Sequence, residues 1–271
     1  MTGHARRPVA LTIAGSDSGG GAGIVADLKT FEAHGVWGTA ALVAVTAQNT
    51  LGVQAFDAVT PELVRAQITS VVGDLGVDAA KTGMLASAEI VESVAATVKE
   101  FGVGPLVVDP VFVSKHGDTL LADDAVGALR HRLLPLATVV TPNLPEAAAL
   151  AGFEVADRRA MERAARALSE LGPEVVLVKG GHLGDGGSSP DCLLVAGEDP
   201  VWLDGARIPG RHTHGTGCVL SAAICAELAR GMEPADACVA AKRFVEKAIA
   251  AGVAVGSGVG PVDPGWARAA P

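Results

Sequence analysis

Four consecutive residues, Gly215, Thr216, Gly217 and Cys218, are of the types that handle an anion. An Ala-rich apolar pattern follows at once through Ala222, Ala223, Ile224, Ala226, Leu228 and Ala229. Its helical spacing predicts that Gly215 to Cys218 form the N-terminal turn of a helix. Backbone N–H groups of a first turn have no partner inside the helix, and the helix dipole adds partial positive charge there. Glycines let the chain approach an anion closely. The turn therefore suits a phosphate, or the charge on a phosphoryl group in transit. Cys218 would sit in this field, where a thiol pKa can fall far enough to make a base or nucleophile. The same residues also fit a tight turn, with Cys218 a small buried hydrophobe.

Other candidates stand at the ends of short apolar runs. Asp109 ends the run Pro105 to Pro110, a position that suits a magnesium ion or a helix cap. Glu146 follows Asn143 in what reads as the first turn of a helix, where it matches the dipole and could equally orient a metal. Lys179 ends the run Glu174 to Gly181 beside two glycines, as a phosphate contact or as a solvated loop charge. Gln48 offers a donor and an acceptor side by side, which matches an aminopyrimidine edge and also suits a turn in water.

The elements that must carry these residues follow from the pattern. Strands are expected at Val9 to Ala14, Gly38 to Ala47, Ala79 to Thr82, Pro105 to Pro110, Ala137 to Thr141 and Glu174 to Gly181. A second short run, Val53 to Val59, makes a hairpin-like excursion with the end of the second strand. Two further β runs span Asp191 to Ala196 and Val201 to Ile208, after a polar turn at Asp185 to Pro190. Helices are expected at about Ile24 to His34, Pro61 to Val72, Ser87 to Glu100, Asp123 to His131, Ala147 to Ala151, Arg158 to Leu171, Gly215 to Arg230 and Pro234 to Ala251. The tail, Gly256 to Pro271, is expected to trail off. Alternating strands and helices imply one α/β domain with a mostly parallel sheet and helices on both faces. Gly15, Met84, Asp109, Asn143 and Lys179 then gather at the C-terminal edge of the strands, where open α/β sheets bind ligands. That convergence favours the anion-cradle reading of Gly215 to Cys218.

Composition narrows the function. With 271 residues, 49% hydrophobic, the chain can bury a sizeable core. Its net charge of -9 offers no basic footprint for nucleic acid or an anionic membrane. The cysteines, Cys192, Cys218, Cys225 and Cys238, form no Cys-x-x-Cys pair, so neither zinc nor a disulfide framework is indicated. The apolar run Val9 to Ala14 is too short for a signal peptide or a membrane span, and a reducing cytoplasm is the expected setting. Gly21-x-Gly23-x-x-Ala26 fits a dinucleotide fingerprint in form, but the next strand ends in Gln48-Asn49 with no acid for a ribose. No lysine follows a glycine, which rules out a Walker-type loop.

Seven motifs occur in one order: Ala14-Gly-Ser-Asp-Ser-Gly-Gly-Gly-Ala-Gly-Ile24, Ala26-Asp-Leu-Lys-Thr30, Ala47-Gln-Asn49, Lys81-Thr-Gly-Met-Leu85, Thr141-Pro-Asn-Leu-Pro-Glu146, Val178-Lys-Gly-Gly-His182 and Thr213-His-Gly-Thr-Gly-Cys218. With them the chain resembles the hydroxymethylpyrimidine/phosphomethylpyrimidine kinases of thiamin biosynthesis, within the ribokinase-like superfamily, from about Val9 to Pro264. The resemblance implies a three-layer α/β sandwich and ATP-dependent phosphorylation of 4-amino-5-hydroxymethyl-2-methylpyrimidine and of its monophosphate. It implies that Gly15, Asp27, Gln48, Met84 and Val111 line the pyrimidine pocket. Asn143, Glu146 and Lys179 would serve ATP and Mg2+, with Asp109 a further magnesium candidate. Gly215, Thr216 and Gly217 would form the anion hole, and Cys218 would take the place of the usual aspartate base. Two stretches depart from the pattern: Ser18-Gly19 replaces Pro-Ser in the first loop, and Arg211-His212 replaces Lys-Asn before the anion hole. His212 and His214 have no apparent third ligand and read as loop residues. Pyridoxal kinase is the nearest alternative, and a non-catalytic pyrimidine sensor a more distant one. A homodimer through exposed β runs near Val53 or Val201 is expected.

Overall fold

The computed structural model describes residues 6–112, 123–181, 183 and 187–267. In chain order the elements are β1 (Val9–Ala14), α1 (Gly23–Ala33), β2 (Trp37–Leu42), β3 (Ala44–Asn49), β4 (Gly52–Ala58), α2 (Pro61–Asp74), β5 (Ala79–Thr82) and α3 (Ala88–Phe101). They continue with β6 (Leu106–Val108), α4 (Asp123–Ala128), β7 (Val139–Val140), α5 (Leu144–Ala151), α6 (Arg158–Ser169) and β8 (Val175–Val178). Then come β9 (Asp191–Val195), β10 (Val201–Leu203), α7 (Thr216–Ala229) and α8 (Pro234–Ala250).

Eight strands form one sheet in the order β10-β9-β8-β7-β6-β5-β1-β2. From β2 to β8 all neighbours are parallel, whereas β9 and β10 pair antiparallel. Buried strands alternate between two cores with the period of two that a pleated sheet imposes. Leu11, Ile13, Leu106, Val108, Val176 and Val178 face α2, α3, α5 and α6. Ala10, Val107, Val175 and Leu177 face α1, α7 and α8. Helix α7 is buried continuously from Val219 to Leu228, which anchors it while its first residues, Thr216 to Cys218, stay half-buried. No helix among the described residues is long and apolar enough to cross a membrane.

Local signals explain the element ends. Ser87 and Asp157 cap α3 and α6 by accepting the Ile90 and Ala160 N–H groups. Asn143 and Glu146 form a reciprocal capping box at the start of α5.

Three expectations need correction. The run Gly38 to Ala47 is two strands, because the chain leaves the main sheet at Val43 and enters a separate hairpin, β3–β4. The second terminal β run stops at Leu203, and residues 206–210 turn instead to the cavity wall. The tail does not trail off before residue 267. Val262 is buried, Pro261 bridges to His214, and Trp266 stacks near Phe244 and under the Lys247 ammonium. Arg211 donates to the Ser257 and Gly258 carbonyls, and His212 Nδ1 accepts from the Gly260 N–H at 3.0 Å. The departing pair Arg211-His212 is thus what ties the tail down. Val259 N–H reaches the Thr50 carbonyl at the hairpin tip at 2.9 Å, so the tail spans from the hairpin to α7. Val113, His182, part of the expected turn at Asp185 to Pro190 and the last four residues lie outside the described residues.

Candidate active site

A cavity of about 910 Å³ opens along the C-terminal ends of the parallel strands, within the size range of small-molecule sites. Of the expected site residues, Gly15, Gln48, Met84, Asp109, Val111, Asn143, Glu146, Lys179, Gly215, Thr216, Gly217 and Cys218 all line it. Asp27 does not. It is fully buried behind the wall, where Thr12 donates to it at 2.6 Å and Lys81 at 3.0 Å. Lys81, not Asp27, reaches the cavity. An aspartate on the inner face of α1 meets the sheet rather than the ligand space.

Gly15 and Met84 form one wall together. A Cβ on Gly15 would lie 2.6 Å from the Met84 methyl, so a larger residue here would push that thioether aside and reshape the wall. Gln48 stands beside them on β3, with Nε2 3.4 Å from His214 Nε2.

The first glycine-rich loop is organised by Asp17, which motif reading passed over. Its carboxylate accepts from the N–H groups of Gly19, Gly21 and Ala22 and from His214 Nε2 at 2.8 Å. Burial opposes its charge, but the His214 hydrogen bond and charge and the backbone donors outweigh this and hold its carboxyl below the usual range. These bonds fix the loop without the missing proline. His214, expected as a plain loop residue, is the latch between this loop and the anion turn. A Ser/Thr/Asn/Asp side chain capturing nearby N–H groups is a recognisable turn signal. Its partner 197 residues away is not.

The turn Gly215 to Cys218 heads helix α7, as its spacing predicts. Gly215 is the N-cap of α7, with φ of 80°. A Cβ there would lie 1.8 Å from the Gly21 carbonyl oxygen, so the two glycine-rich loops touch backbone to backbone. Thr216 turns back on the Thr213 carbonyl, donating to it from Oγ1 at 2.8 Å and from its backbone N–H at 3.4 Å. Gly217 approaches Lys179 so closely that a Cβ would lie 3.5 Å from Nζ.

Charges alternate from Asp27 behind the wall to Lys81, Asp109, Lys179 and Glu146 along the cavity floor. Lys179 donates to Asp109 at 2.9 Å and lies 3.9 Å from Glu146. Asp109 also accepts from Thr141 at 3.0 Å and Ser221 at 3.3 Å. Burial opposes its charge, and the two lysine ammoniums overcome that and keep it ionised. For Lys81 the flanking carboxylates of Asp27 and Asp109 outweigh burial and hold the ammonium charged. Glu146 lies at the end of the row. Burial first, and the Asp109 charge after it, push its carboxyl up to about 7 against the pull of Lys179.

Cys218 departs from expectation. Although it heads the helix, burial pushes its thiol up to about 11; Lys81 opposes the shift, and Asp27 and Asp109 add to it. Desolvation and two carboxylates outweigh the helix terminus, so the thiol is protonated at neutral pH.

Among the described residues no group of three or more His, Cys, Asp and Glu could hold a metal alone. An ion here would take most of its ligands from water or phosphate.

The comparisons agree with this geometry. A phosphomethylpyrimidine kinase profile matches residues 17–263. A Streptomyces coelicolor hydroxymethylpyrimidine/phosphomethylpyrimidine kinase is 54% identical over 260 residues, covering 96% of this chain and 95% of the relative. One from Synechococcus elongatus is 49% identical, covering 94% and 96%. Among solved structures, Bacillus subtilis pyridoxal kinase in complex with ADP superposes with a TM-score of 0.90 at 40% identity, covering 98% of this chain and all of that one. The Clostridium difficile phosphomethylpyrimidine kinase superposes with a TM-score of 0.79 at 39% identity, covering 90% of this chain and 100% of that one. The layered sheet is the ribokinase-like architecture, and with all the expected site residues but Asp27 lining a single cavity and relatives matched over nearly their whole length, the chain belongs to the phosphomethylpyrimidine kinase family.

Proposed function

We propose that the chain transfers the γ-phosphoryl group of ATP to the hydroxymethyl oxygen of 4-amino-5-hydroxymethyl-2-methylpyrimidine, and then to the resulting monophosphate. The product is the diphosphate used in thiamin biosynthesis. One observation carries this reading: the Gly15–Met84–Gln48 wall and the Gly215–Gly217 turn share a cavity with Lys179.

The pyrimidine would lie against Met84, Gly15 and Val111, its amino edge toward the Gln48 amide. The hydroxyl oxygen attacks the γ-phosphorus, the bond to the β,γ-bridging oxygen breaks, and ADP leaves. The N–H groups of Gly215 and Gly217 and the Lys179 ammonium receive the charge on the transferred group. Asn143 uses its carbonyl oxygen to cap α5, which leaves its amide nitrogen for a nucleotide phosphate. Mg2+ supplies charge neutralisation when bound with ATP. Glu146 fits it best, since a nearby cation would reverse the cause of its raised pKa; Asp109, already held by Lys179, acts through that lysine. Phosphoryl transfer through a loose transition state makes little demand on a base. Cys218 is the one thiol beside the turn and the proposed acceptor of the hydroxyl proton, a role it fills only as the thiolate, the minor form at neutral pH with its pKa pushed up to about 11.

A second reading, pyridoxal as an acceptor, draws on the likeness to pyridoxal kinases. We read residues 1–271 as one kinase domain acting in the cytoplasm. Exposed Val45 and Phe56 on the hairpin support a homodimer.

The test is ATP consumption by purified protein, with magnesium, against the hydroxymethylpyrimidine, its monophosphate and pyridoxal. Turnover on both pyrimidines supports the proposal. Turnover on pyridoxal alone moves the function to vitamin B6 salvage, and tight pyrimidine binding with no ATP turnover makes the protein a sensor.

A further inference from the structure

Lys242 and Asp191 form a second buried ion pair, away from the Asp27–Asp109 row. Lys242 projects from α8 and Asp191 opens β9; both side chains are about one-tenth exposed and both line the cavity. Lys242 Nζ donates to Asp191 Oδ2 at 2.7 Å and to the Ser189 carbonyl at 2.8 Å. The other oxygen, Asp191 Oδ1, accepts from the Gly180 N–H at 2.8 Å. Gly180 directly follows Lys179, whose own N–H bonds to the Pro142 carbonyl at 2.8 Å. Ser189 in turn donates to the Gly205 carbonyl at 2.8 Å, at the head of the segment 206–210 that walls the cavity.

One carboxylate and one ammonium therefore fix two separate backbone segments. In the sheet order they sit at β8 and β9, while Gly15 and Met84 sit at β1 and β5, with β6 and β7 between. Burial to this degree takes two charges largely out of water without an ion pair to the row that holds Lys179, and hydrophobic residues would fill such a place at less desolvation cost. We infer that Asp191 and Lys242 are positioning residues for the nucleotide: they hold the Gly180-Gly181 turn, and through it Lys179, and the 206–210 wall in the geometry that ATP requires. The hydrogen bonds of the pair run to each other and to the Ser189 and Gly180 backbone, not to Asp109 or the Gly215 turn. The inference rests on the reading of this cavity as an ATP site.

Three variants test it: Asp191→Asn, Lys242→Met and the double variant, each assayed for KM of ATP, KM of the pyrimidine, kcat and Tm. Asp191→Asn keeps an acceptor for Gly180 and loses the charge. Lys242→Met strands a buried carboxylate, and the double variant removes that charge and recovers Tm. The expected result is a KM for ATP raised about tenfold or more in Lys242→Met, with the pyrimidine KM within about twofold. The double variant regains Tm but keeps the raised KM for ATP. Should Lys242→Met fail to fold, the double variant carries the same comparison. The inference is overturned if the double variant recovers both Tm and the KM for ATP, or if both KM values rise together. A wild-type protein that turns over no ATP overturns the cavity reading itself, which the variants do not address.

Discussion

Replacing Gly215 by Ala tests whether the two glycine-rich loops must touch for the anion turn to work. The new methyl meets two separate penalties. At φ of 80° a residue with a Cβ is strained, by roughly 1–2 kcal/mol. Its Cβ would also start 1.8 Å from the Gly21 carbonyl oxygen. An ordinary carbon–oxygen contact needs about 3.4 Å, so the loops must part by about 1.5 Å. That motion breaks the alignment of the Gly215 and Gly217 N–H groups with the Gln48 wall. A misplacement of about 1 Å can cost about 100-fold in rate, so kcat/KM should fall about 100-fold or more. Gly217→Ala is the matched control. There the Cβ meets Lys179 Nζ at 3.5 Å and Asp109 at 3.7 Å, ordinary contacts with no backbone conflict. It should fold with an unchanged Tm yet lose activity, because its methyl stands before Lys179. A coupled assay of ADP release and a thermal melt read both variants. If both keep kcat/KM within threefold of wild type, the turn is not where the phosphoryl group passes.

Three other perturbations probe the charged floor and the thiol. Glu146, raised from 4.5 to about 7, stays protonated in the folded chain after the unfolded chain has ionised, so it contributes stability below pH 4.5 that is lost as pH rises to about 7. Melts across that range should show the decline in wild type and not in Glu146→Gln, and equal slopes would contradict the assignment. Lys81→Met leaves Asp27 buried and unpaired, at a cost of about 3–5 kcal/mol; melting should drop by about 10 °C and return largely in Lys81→Met with Asp27→Asn. A single variant as stable as wild type would show the pair to be idle. For Cys218, with its thiol pushed up to about 11, alkylation by iodoacetamide should climb without levelling between pH 7 and 9. Folded Cys218→Ala should lose about 100-fold or more in kcat if the thiol takes the proton, and near-normal turnover excludes it.

The arrangement of elements was legible because strand alternation, capping residues and Gly-Pro punctuation are local. Ser87, Asn143 and Pro234 mark helix starts within one turn of where they fall. The site's outline was also legible, since motifs at strand ends must converge on one edge. What stayed hidden depends on distance in sequence. Nothing near Asp17 predicts His214, and nothing near Asp191 predicts Lys242. Asp27 was misplaced because a motif gives residue order and not which side of α1 meets the sheet. The Cys218 shift was misjudged because helix position is readable and burial is not. The tail was missed because Gly and Pro content mimics a free end, while its anchors are Thr50, Arg211 and His212.

Residues 256–262 join the hairpin tip to the loop before α7. They are made after every strand and helix described, so a polypeptide still in synthesis completes its scaffold before its working centre. Until that segment arrives, the hairpin tip and the loop before α7 lack their tie through Thr50, His212 and His214, and only the His214–Asp17 latch joins the two glycine-rich loops. A chain that keeps every described strand and helix but stops before Gly256 should therefore hold its sheet and lose turnover, which an ATP-consumption assay of that truncation checks.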